Sequence, residues 1–336
     1  MLSQSQNFQE NGWDLSRALN AYFASKCENT ERERNSGETS RVQANSTTNN
    51  TVEEAISSGL LTTQAPSRLV MVSWNIDGLD QTNLKRRTRA VVKTLKEEAV
   101  DIVFLQEVVL ETFSYLESKL PEYECIAAKE ENYFVATLLR KGRVYMDKSK
   151  VVDFPGSTMY RHFLAVQAHC GNVKMDLLNT HLESTKDHAE ERMKQLENCL
   201  GVVDRRPPDS NVIFGGDLNM RDKELASIGG LPVGVKDMWE EMGRRKEVEY
   251  TWDMQRNHNL EWPGKWKPRC RFDRIYLRQN VDKMMKVVKY GLVGLEKVEG
   301  CQAFPSDHWG VKVDLELNQM GGLTNSKKRK VEEVDA

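Results

Sequence analysis

Chemically reactive side chains recur where short apolar runs of this sequence stop. Each run ends in, or is followed by, a carboxylate, an amide or an imidazole, which are groups that can hold a cation, orient water or donate a proton. In chain order these residues are Asn75, Glu107, His181, Asp217, Asn219, Asp273, Asp307 and His308. Oxygen ligands without cysteine suit Mg²⁺, which keeps waters and needs only one or two carboxylates. The residue types therefore predict hydrolysis of a phosphate ester assisted by a hard divalent cation.

The elements that must position these residues are short strands separated by helices. Runs such as RLVMVSWN, DIVFLQE and VKMDLLNTH are typical of buried strands, whereas segments 84–97 and 187–201 show a helical spacing of apolar residues. Strands that alternate with helices indicate an α/β fold. If the strands form packed sheets, their ends gather at one rim although the residues are far apart in sequence. We expect that rim to be the active site.

Several common enzyme classes lack their signatures in this sequence. There is no GxxxxGK[ST] loop, which argues against nucleotide-driven phosphoryl transfer. The motifs HExxH and GxSxG are missing as well, which removes the commonest protease and esterase sites.

Composition narrows the possible partners. The 336 residues carry 48 Lys and Arg against 50 Asp and Glu, so any contact with nucleic acid must come from a local patch. The six cysteines form no CxxC pair and are expected to be reduced thiols. No run approaches the roughly 18 apolar residues of a spanning helix, and the first ten residues do not resemble a secretory signal, so we expect no membrane association.

Composition also divides the chain into four segments. Residues 1–27 contain NGWDLSRALNAYFAS, a predicted helix that resembles the last helix of a ubiquitin-associated domain, which makes ubiquitin a candidate partner. Residues 28–66 are predicted to be a disordered linker, and residues 67–319 form the catalytic domain. Residues 320–336 are a predicted disordered tail, in which KKRK at 327–330 is typical of a nuclear localisation signal. We expect a nuclear protein, with the cytoplasm as a second location.

Four sequence blocks resemble the endonuclease/exonuclease/phosphatase superfamily, and they occur in order as SWNIDGL at 73–79, LQEV at 105–108, GDLN at 216–219 and SDHW at 306–309. Within this superfamily the chain most resembles the branch that removes tyrosine from DNA 5′ ends, through HLESTK at 181–186, YTWD at 250–253 and RFDRIYLR at 271–278. The resemblance implies a four-layer α/β sandwich, in which helices flank two packed mixed β-sheets, beside the small helical N-terminal segment.

The resemblance also implies an activity. The expected reaction is hydrolysis of the phosphodiester that joins a topoisomerase II tyrosine to a DNA 5′ end, as a step of double-strand break repair. Water would attack in line with assistance from Mg²⁺, or Mn²⁺ as a substitute, and leave a 5′ phosphate. Three other activities of the superfamily stay open: abasic-site endonuclease, RNA exonuclease and phosphoinositide phosphatase. A hypothesis of another class is a ubiquitin-binding signalling adaptor.

By this resemblance, catalytic roles fall on Asp217, Asn219, His308, Asn75, Asp273 and His181, and metal-site roles on Glu107 and Asp307. Asp217 would orient and deprotonate water. His308, held by Asp273, would donate to a nonbridging oxygen as charge grows in the transition state. The DNA 5′ end would contact residues of the same blocks, namely Asn75, Ile76, Asp77, Gly78, Leu79, Tyr133, His181, Leu182, Glu183, Ser184, Thr185, Lys186, Asn219, Met220, Arg221, Trp252, Phe272 and His308.

One stretch combines positive charge with aromatic rings. Its sequence is WPGKWKPRCRFDR at 262–274, where Lys265, Lys267, Arg269, Arg271 and Arg274 alternate with three aromatic residues. This pattern is typical of single-strand nucleic-acid binding, and the alternative is an ordinary strand with buried aromatics. Phe272 and Asp273 are neighbours in the predicted strand and are expected to face opposite sides.

Overall fold

The computed structural model describes residues 65–129, 132–262 and 265–319. The predicted helix within 1–27, nearly all of the predicted linker 28–66 and the predicted tail 320–336 therefore lie outside the described residues. The first and last described segments contact each other, because the side-chain amide of Gln319 donates to the carbonyl of Pro66 at 2.9 Å.

Short strands make up most of the regular secondary structure of the domain. Most of their apolar residues are buried, and β2 is buried at all of its positions. The strands are β1 (Arg68–Asn75), β2 (Ile102–Val108), β3 (Tyr123–Ala127), β4 (Phe134–Arg140), β5 (Tyr145–Asp153), β6 (His162–Cys170), β7 (Val173–His181), β8 (Asn211–Asp217), β9 (Val235–Asp237), β10 (Trp252–Asp253), β11 (Arg269–Cys270), β12 (Asp273–Arg278), β13 (Met285–Val293) and β14 (Gly310–Leu317).

The helices are α1 (Leu84–Glu97), α2 (Leu110–Lys119), α3 (Ala189–Asp204), α4 (Asp222–Ser227) and α5 (Met238–Glu241), with one 3₁₀ turn (Lys246–Val248). The helix predicted at 84–97 has the predicted bounds, because its apolar positions form one buried face. The helix predicted at 187–201 begins and ends slightly later, as α3. No helix in the described part of the chain is long and apolar enough to cross a membrane.

Two six-stranded mixed sheets pack face to face. Their strand orders are β13-β14-β1-β2-β4-β3 and β5-β6-β7-β8-β12-β9. Apolar side chains from both sheets, such as Phe104 and Ile213, fill the space between them. The outer face of the first sheet packs against α1 and α2, and that of the second against α3. The predicted four-layer α/β sandwich is confirmed.

The strand ends meet at one edge of the two sheets, which we call the strand-end rim. Within the first sheet β1 and β2 are parallel, and within the second β7 and β8 are parallel, with His181 opposite Asp217. β12 runs antiparallel to β8 and places Asp273 beside Asp217. The loop before β14 is tied to the end of β1, because Ser306 Oγ donates to the carbonyl of Asn75 at 2.6 Å. Residues separated by more than two hundred positions therefore share one rim.

We expect Gly216→Ala to destabilise the domain by about 3 kcal/mol, because it combines backbone strain with a clash. Gly216 has a φ of 134°, and an added Cβ would lie 1.8 Å from the carbonyl oxygen of Thr180 in the adjacent strand. Gly142→Ala is the control, since its φ is 77° but nothing lies within 4 Å of an added Cβ. Urea unfolding should show a loss of only about 1 kcal/mol for the control. Equal losses for the two variants would contradict the close approach of β7 and β8.

Candidate active site

Asn75 joins the two sheets at the centre of the strand-end rim. Its side-chain amide donates to Glu107 Oε1 at 3.2 Å and to Asp217 Oδ2 at 2.9 Å, and its Oδ1 accepts from the backbone N–H of Asp77 at 3.0 Å. Asn75, Glu107 and Asp217 are all buried. One amide therefore holds two carboxylates from different sheets at a fixed separation.

The backbone at the rim is unusual for residues that are not glycine. Asp77, Glu107 and Asn219 have φ values of 50°, 51° and 50°, and Thr185 has 69°. Glu107 also lies where the register of β2 and β4 shifts, which is a bulge that redirects a side chain. Backbone strain of this kind costs about 1–3 kcal/mol per residue and concentrates at functional sites. These backbone conformations therefore lower the stability of the fold, and they direct the polar side chains of the rim.

His308 and Asp273 form a buried ion pair beside Asp217. Nδ1 of His308 lies 2.8 Å from Asp273 Oδ2, and Nε2 lies 3.7 Å from Asp217 Oδ2. Burial opposes a charge on this ring, but the carboxylates of Asp273, Asp217 and Asp307 outweigh it and hold the pKa of His308 well above its ordinary value. At neutral pH His308 is therefore an imidazolium that can donate from Nε2.

His181, unlike His308, is neutral because of its burial and the neighbouring Arg161. Burial and the Arg161 guanidinium both lower the pKa of His181, so the ring is neutral. Arg161 Nη1 lies 2.7 Å from His181 Nδ1, and arginine can only donate, so Nδ1 accepts and the ring proton resides on Nε2. Nε2 lies 3.3 Å from Asp217 Oδ2 and has no well-aligned hydrogen-bond acceptor among the described residues. The ring therefore turns this N–H toward the Asp217 carboxylate, and a substrate oxygen would have to lie beside that carboxylate to accept it.

Arg161 could not be recognised from sequence, because it lies one residue before β6 and outside the blocks of the superfamily. Its guanidinium also lies over the ring of Tyr133, 5.2 Å from the centroid. A single arginine at the start of an apolar strand is a weak signal, because most such residues are solvated.

We expect Arg161→Met to lower turnover about tenfold, because residues that orient a reacting group typically contribute this much. Without the guanidinium, His181 is free to change tautomer and its pKa rises. NMR of the His181 ring nitrogens should show the loss of the pure Nε2–H form, and Arg161→Lys should restore part of the turnover. An unchanged tautomer with lowered activity would contradict the assigned role.

The charge state of Asp217 is set by its neighbours. Burial alone would raise its pKa, but interactions with His181 and His308 and the hydrogen bond from Asn75 outweigh it and lower the pKa well below the ordinary range. Its Oδ1 accepts from the backbone N–H of Asn219 at 3.1 Å. A carboxylate this acidic holds a proton weakly, so it orients water better than it stores the proton that water loses.

The predicted substrate residues divide into exposed and buried groups. Leu182 and Met220 pack in the core under α3, and Ile76 packs in the core under α1 and α2, so their side chains face away from solvent. Glu183 accepts hydrogen bonds from Ser157, Thr158 and Met159, and thereby holds the loop that leads to Arg161. Ser184 Oγ lies 3.1 Å from Met159 Sδ. Lys186 is exposed, and Gly78 and Leu79 follow β1 at the rim.

Two of the three aromatic residues predicted near the DNA end, Trp252 and Phe272, support the loop that carries His308. Trp252 Nε1 donates to Asp307 Oδ2 at 3.2 Å, and the Trp252 ring lies 5.8 Å from that of Phe272. The Phe272 ring in turn lies 6.4 Å from the His308 ring, and the Arg221 guanidinium lies over Phe272 at 5.5 Å. Asp307 is therefore oriented by an indole, and Arg221 lies at the edge of the rim.

The expectation that Phe272 and Asp273 face opposite sides is wrong. β12 begins at Asp273, so Phe272 lies before the regular strand and the alternation does not extend to it. Both side chains consequently reach His308, one through its ring and the other through its carboxylate.

The basic stretch is largely neutralised within the domain. Arg269 pairs with Asp253 at 2.8 Å, Arg271 with Asp237 at 2.6 Å, and Arg274 with Asp222 at 2.7 Å. Arg271 and Arg274 are also buried, so these cations stabilise the fold and are not exposed to a strand of nucleic acid. Lys265 and Lys267 have no ion pair within the described ranges, and Trp266 between them is 60% exposed. The interpretation as a single-strand binding surface is therefore wrong for Arg271 and Arg274, and Arg269 is already paired.

A divalent metal fits the donor set of the rim. Glu107 and Asp217 supply hard carboxylate oxygens on the two sides of Asn75, which is the chemistry that Mg²⁺ and similar cations require. Ligand atoms of Asp217, Asp273 and His308 also lie within 4.8 Å of one another and could hold a cation. In that trio the imidazolium of His308 would first have to lose its proton. The carboxylates of Glu107 and Asp217 beside Asn75 therefore fit a divalent cation better than this trio does.

Comparison with known proteins agrees with this geometry. The model of the endonuclease/exonuclease/phosphatase family matches residues 72–308. Tyrosyl-DNA phosphodiesterase 2 of Homo sapiens is 38% identical over 315 residues, which cover 92% of this chain and 86% of that protein. The protein of the same name from Mus musculus is 40% identical over 319 residues, which cover 92% of this chain and 84% of that protein.

Solved structures show the same relationship. A crystal structure of Danio rerio TDP2 complexed with single-strand DNA product has a TM-score of 0.73 at 39% identity, over 75% of this chain and 100% of that chain. A mannosyl-6-phosphatase of Bacteroides thetaiotaomicron has a TM-score of 0.57 at 16% identity, over 74% of this chain and 99% of that chain, and shares the fold alone. The chain therefore belongs to the tyrosyl-DNA phosphodiesterase 2 branch of the endonuclease/exonuclease/phosphatase family.

Proposed function

We propose that this protein hydrolyses the phosphodiester between a topoisomerase II tyrosine and a DNA 5′ end, leaves a 5′ phosphate, and so takes part in DNA repair. The observation that carries the proposal is the arrangement at Asp217. An ionised carboxylate lies beside a charged imidazole, His308, and a neutral one, His181, and both can donate from Nε2. Two donors of different charge suit a phosphoryl group whose negative charge grows during the reaction.

Each rim residue has a definite task in this reaction. Asp217 accepts a hydrogen bond from the attacking water and fixes its direction, and Asn75 holds that carboxylate. His308 donates to one nonbridging oxygen and His181 to another. A divalent cation, which we propose to be Mg²⁺ with Mn²⁺ as a substitute, would be held by Glu107 and, as the family resemblance implies, by Asp307, and would act as a Lewis acid on the phosphate.

The test is an assay of purified protein with a 5′-phosphotyrosyl oligonucleotide, in Mg²⁺, in Mn²⁺ and in EDTA. We expect Glu107→Gln to raise the Mg²⁺ concentration for half-maximal activity at least about tenfold, because a charged ligand is lost. Glu111→Gln is the matched control, since Glu111 is an exposed acid that pairs with Lys85 at the surface. Turnover that persists in EDTA would overturn the metal role.

The same assay separates the other substrates of the superfamily. An abasic duplex and a phosphoinositide should be poor substrates beside the phosphotyrosyl oligonucleotide. Preferential cleavage of either one would overturn the proposed function.

We also propose a nuclear location, on the basis of the basic run at 327–330, and ubiquitin as a partner, on the basis of the predicted helix within 1–27. Alanine at all four positions of the run should move a fluorescent fusion out of the nucleus. Titration of ubiquitin against protein with Trp13→Ala, and against the unchanged protein, tests the second proposal. A fusion that stays nuclear, or equal binding by the two proteins, would contradict the respective proposal.

A further inference from the structure

A cavity of about 220 Å³ lies beside the strand-end rim, and the catalytic residues described above do not use it. Its walls include Lys129, Tyr133, Asp153, Tyr160, Arg161 and His162. Arg161 connects it to the reaction centre, because the same guanidinium bonds to His181 Nδ1 at 2.7 Å. A molecule bound at the rim could therefore extend into this cavity.

His162 presents a buried hydrogen-bond acceptor in the cavity wall. Its Nδ1 lies 3.0 Å from the carbonyl oxygen of Tyr160, and a carbonyl can only accept, so the ring proton resides on Nδ1 and Nε2 carries a lone pair. Nε2 is buried and has no hydrogen-bond partner among the described residues. Burial lowers the pKa of His162 to about 4, so the ring stays neutral at physiological pH. A buried acceptor without a donor is costly, and a ligand with an N–H group would remove that cost.

The charges of the cavity distinguish it from a path for nucleic acid. Lys129 Nζ lies 2.6 Å from Asp153 Oδ1, so the outer wall is an ion pair without excess positive charge. Arg161 adds a cation that has no acidic partner among the described residues, but its guanidinium is bonded to His181, and a DNA backbone offers only acceptors, which cannot pair with His162 Nε2. A peptide backbone supplies N–H donors and carbonyl acceptors, which match His162 and Lys129.

The cavity wall is held in a fixed shape. Glu183 is fully buried and accepts hydrogen bonds from the loop of Ser157, Thr158 and Met159. Tyr160, at the end of this loop, has a φ of 58° and is 65% exposed. A strained, exposed tyrosine on an anchored loop is typical of a contact residue and not of the core.

We propose that this cavity binds the peptide that stays attached to the leaving tyrosine, an assignment that rests on the function proposed above. The main-chain N–H of a residue next to the tyrosine would donate to His162 Nε2. The ring of Tyr160 would cover the same residue. The enzyme would then recognise its substrate as a proteolysed protein adduct, with the nucleic acid on the side of His308 and Trp252 and the peptide on the side of Arg161.

The test compares one oligonucleotide that carries two different 5′ adducts. The first adduct is tyrosine alone, and the second is a pentapeptide with tyrosine at its centre. We expect the unchanged protein to have a KM about three- to tenfold lower for the peptide adduct, the effect of one or two hydrogen bonds. His162→Phe, which keeps the volume and removes the acceptor, should abolish this difference and leave the KM for the tyrosine adduct within about twofold of the unchanged protein.

A second variant tests the same cavity in case His162→Phe does not fold. Tyr160→Gly removes an exposed ring at a position where glycine accepts the positive φ, and it should raise KM for the peptide adduct alone. Tyr145→Ala is the matched control, because Tyr145 is a half-exposed tyrosine on the edge strand β5, stacked on His169.

The outcomes separate this inference from the proposed function. Equal KM values for the two adducts, or a difference that survives both His162→Phe and Tyr160→Gly, would overturn the peptide site while the proposed function stands. Failure to cleave the tyrosine adduct would overturn both.

Discussion

Asp217→Asn is expected to lower turnover of a 5′-phosphotyrosyl oligonucleotide by about 10³- to 10⁴-fold, with little change in KM. Asparagine matches the shape of aspartate, so the hydrogen bond from the backbone of Asn219 can remain. The charge that orients water is lost. The new amide N–H groups also face the donor groups of Asn75 and His181, with which they cannot form hydrogen bonds. Because the pKa of Asp217 is lowered, its carboxylate is ionised throughout the neutral range, and the deficit should not depend on pH there.

Single-turnover kinetics with excess enzyme would measure this loss directly. Asp209→Asn is the control, since Asp209 is an exposed acid that pairs with Lys174 at 2.8 Å on the surface. Circular dichroism should show that both variants are folded. A residual rate within about tenfold of the unchanged protein would mean that another group orients the water.

The gathering of the strand ends could be predicted from sequence, because buried strands have a clear apolar pattern and parallel neighbours end at the same edge. Asn75, His181 and Asp217 are at the ends of their strands as expected. The bulge that turns Glu107 could not be predicted. It depends on how β2 pairs with β4, and no local pattern encodes that register.

Arg161 was missed for a related reason. Its contact with His181 requires that β6 pair with β7 so that Phe163 lies opposite Thr180. A shift of one residue would turn the side chains of β6 to the other face of the sheet. The role of an arginine at a strand start thus depends on tertiary pairing, and its residue type alone is compatible with a solvated surface position.

The basic stretch is an error of the opposite kind, because its local composition predicted more exposed positive charge than the fold has. Arg271 and Arg274 lie among aromatic residues in sequence, but their partners Asp237 and Asp222 come from segments more than thirty positions earlier. Counting charges within a window cannot show that a cation is already paired. The two lysines that flank Trp266 have no acidic partner among the described residues.

Asp273→Asn is expected to lower turnover about 10²-fold at alkaline pH and to move the alkaline limit of the pH–rate profile to lower pH. The reason is the sign of the shift at His308: its pKa is raised by Asp273, Asp217 and Asp307, so its donor is present at neutral pH and is lost as pH rises through that raised value. Removing the Asp273 charge lowers the pKa of His308, so the loss begins earlier. Asp147→Asn is the matched control, because Asp147 lies 2.9 Å from the ring of His169 in a surface pair. A profile from pH 6 to 10 whose alkaline limit does not move in Asp273→Asn would show that His308 donates without help from its carboxylate partner.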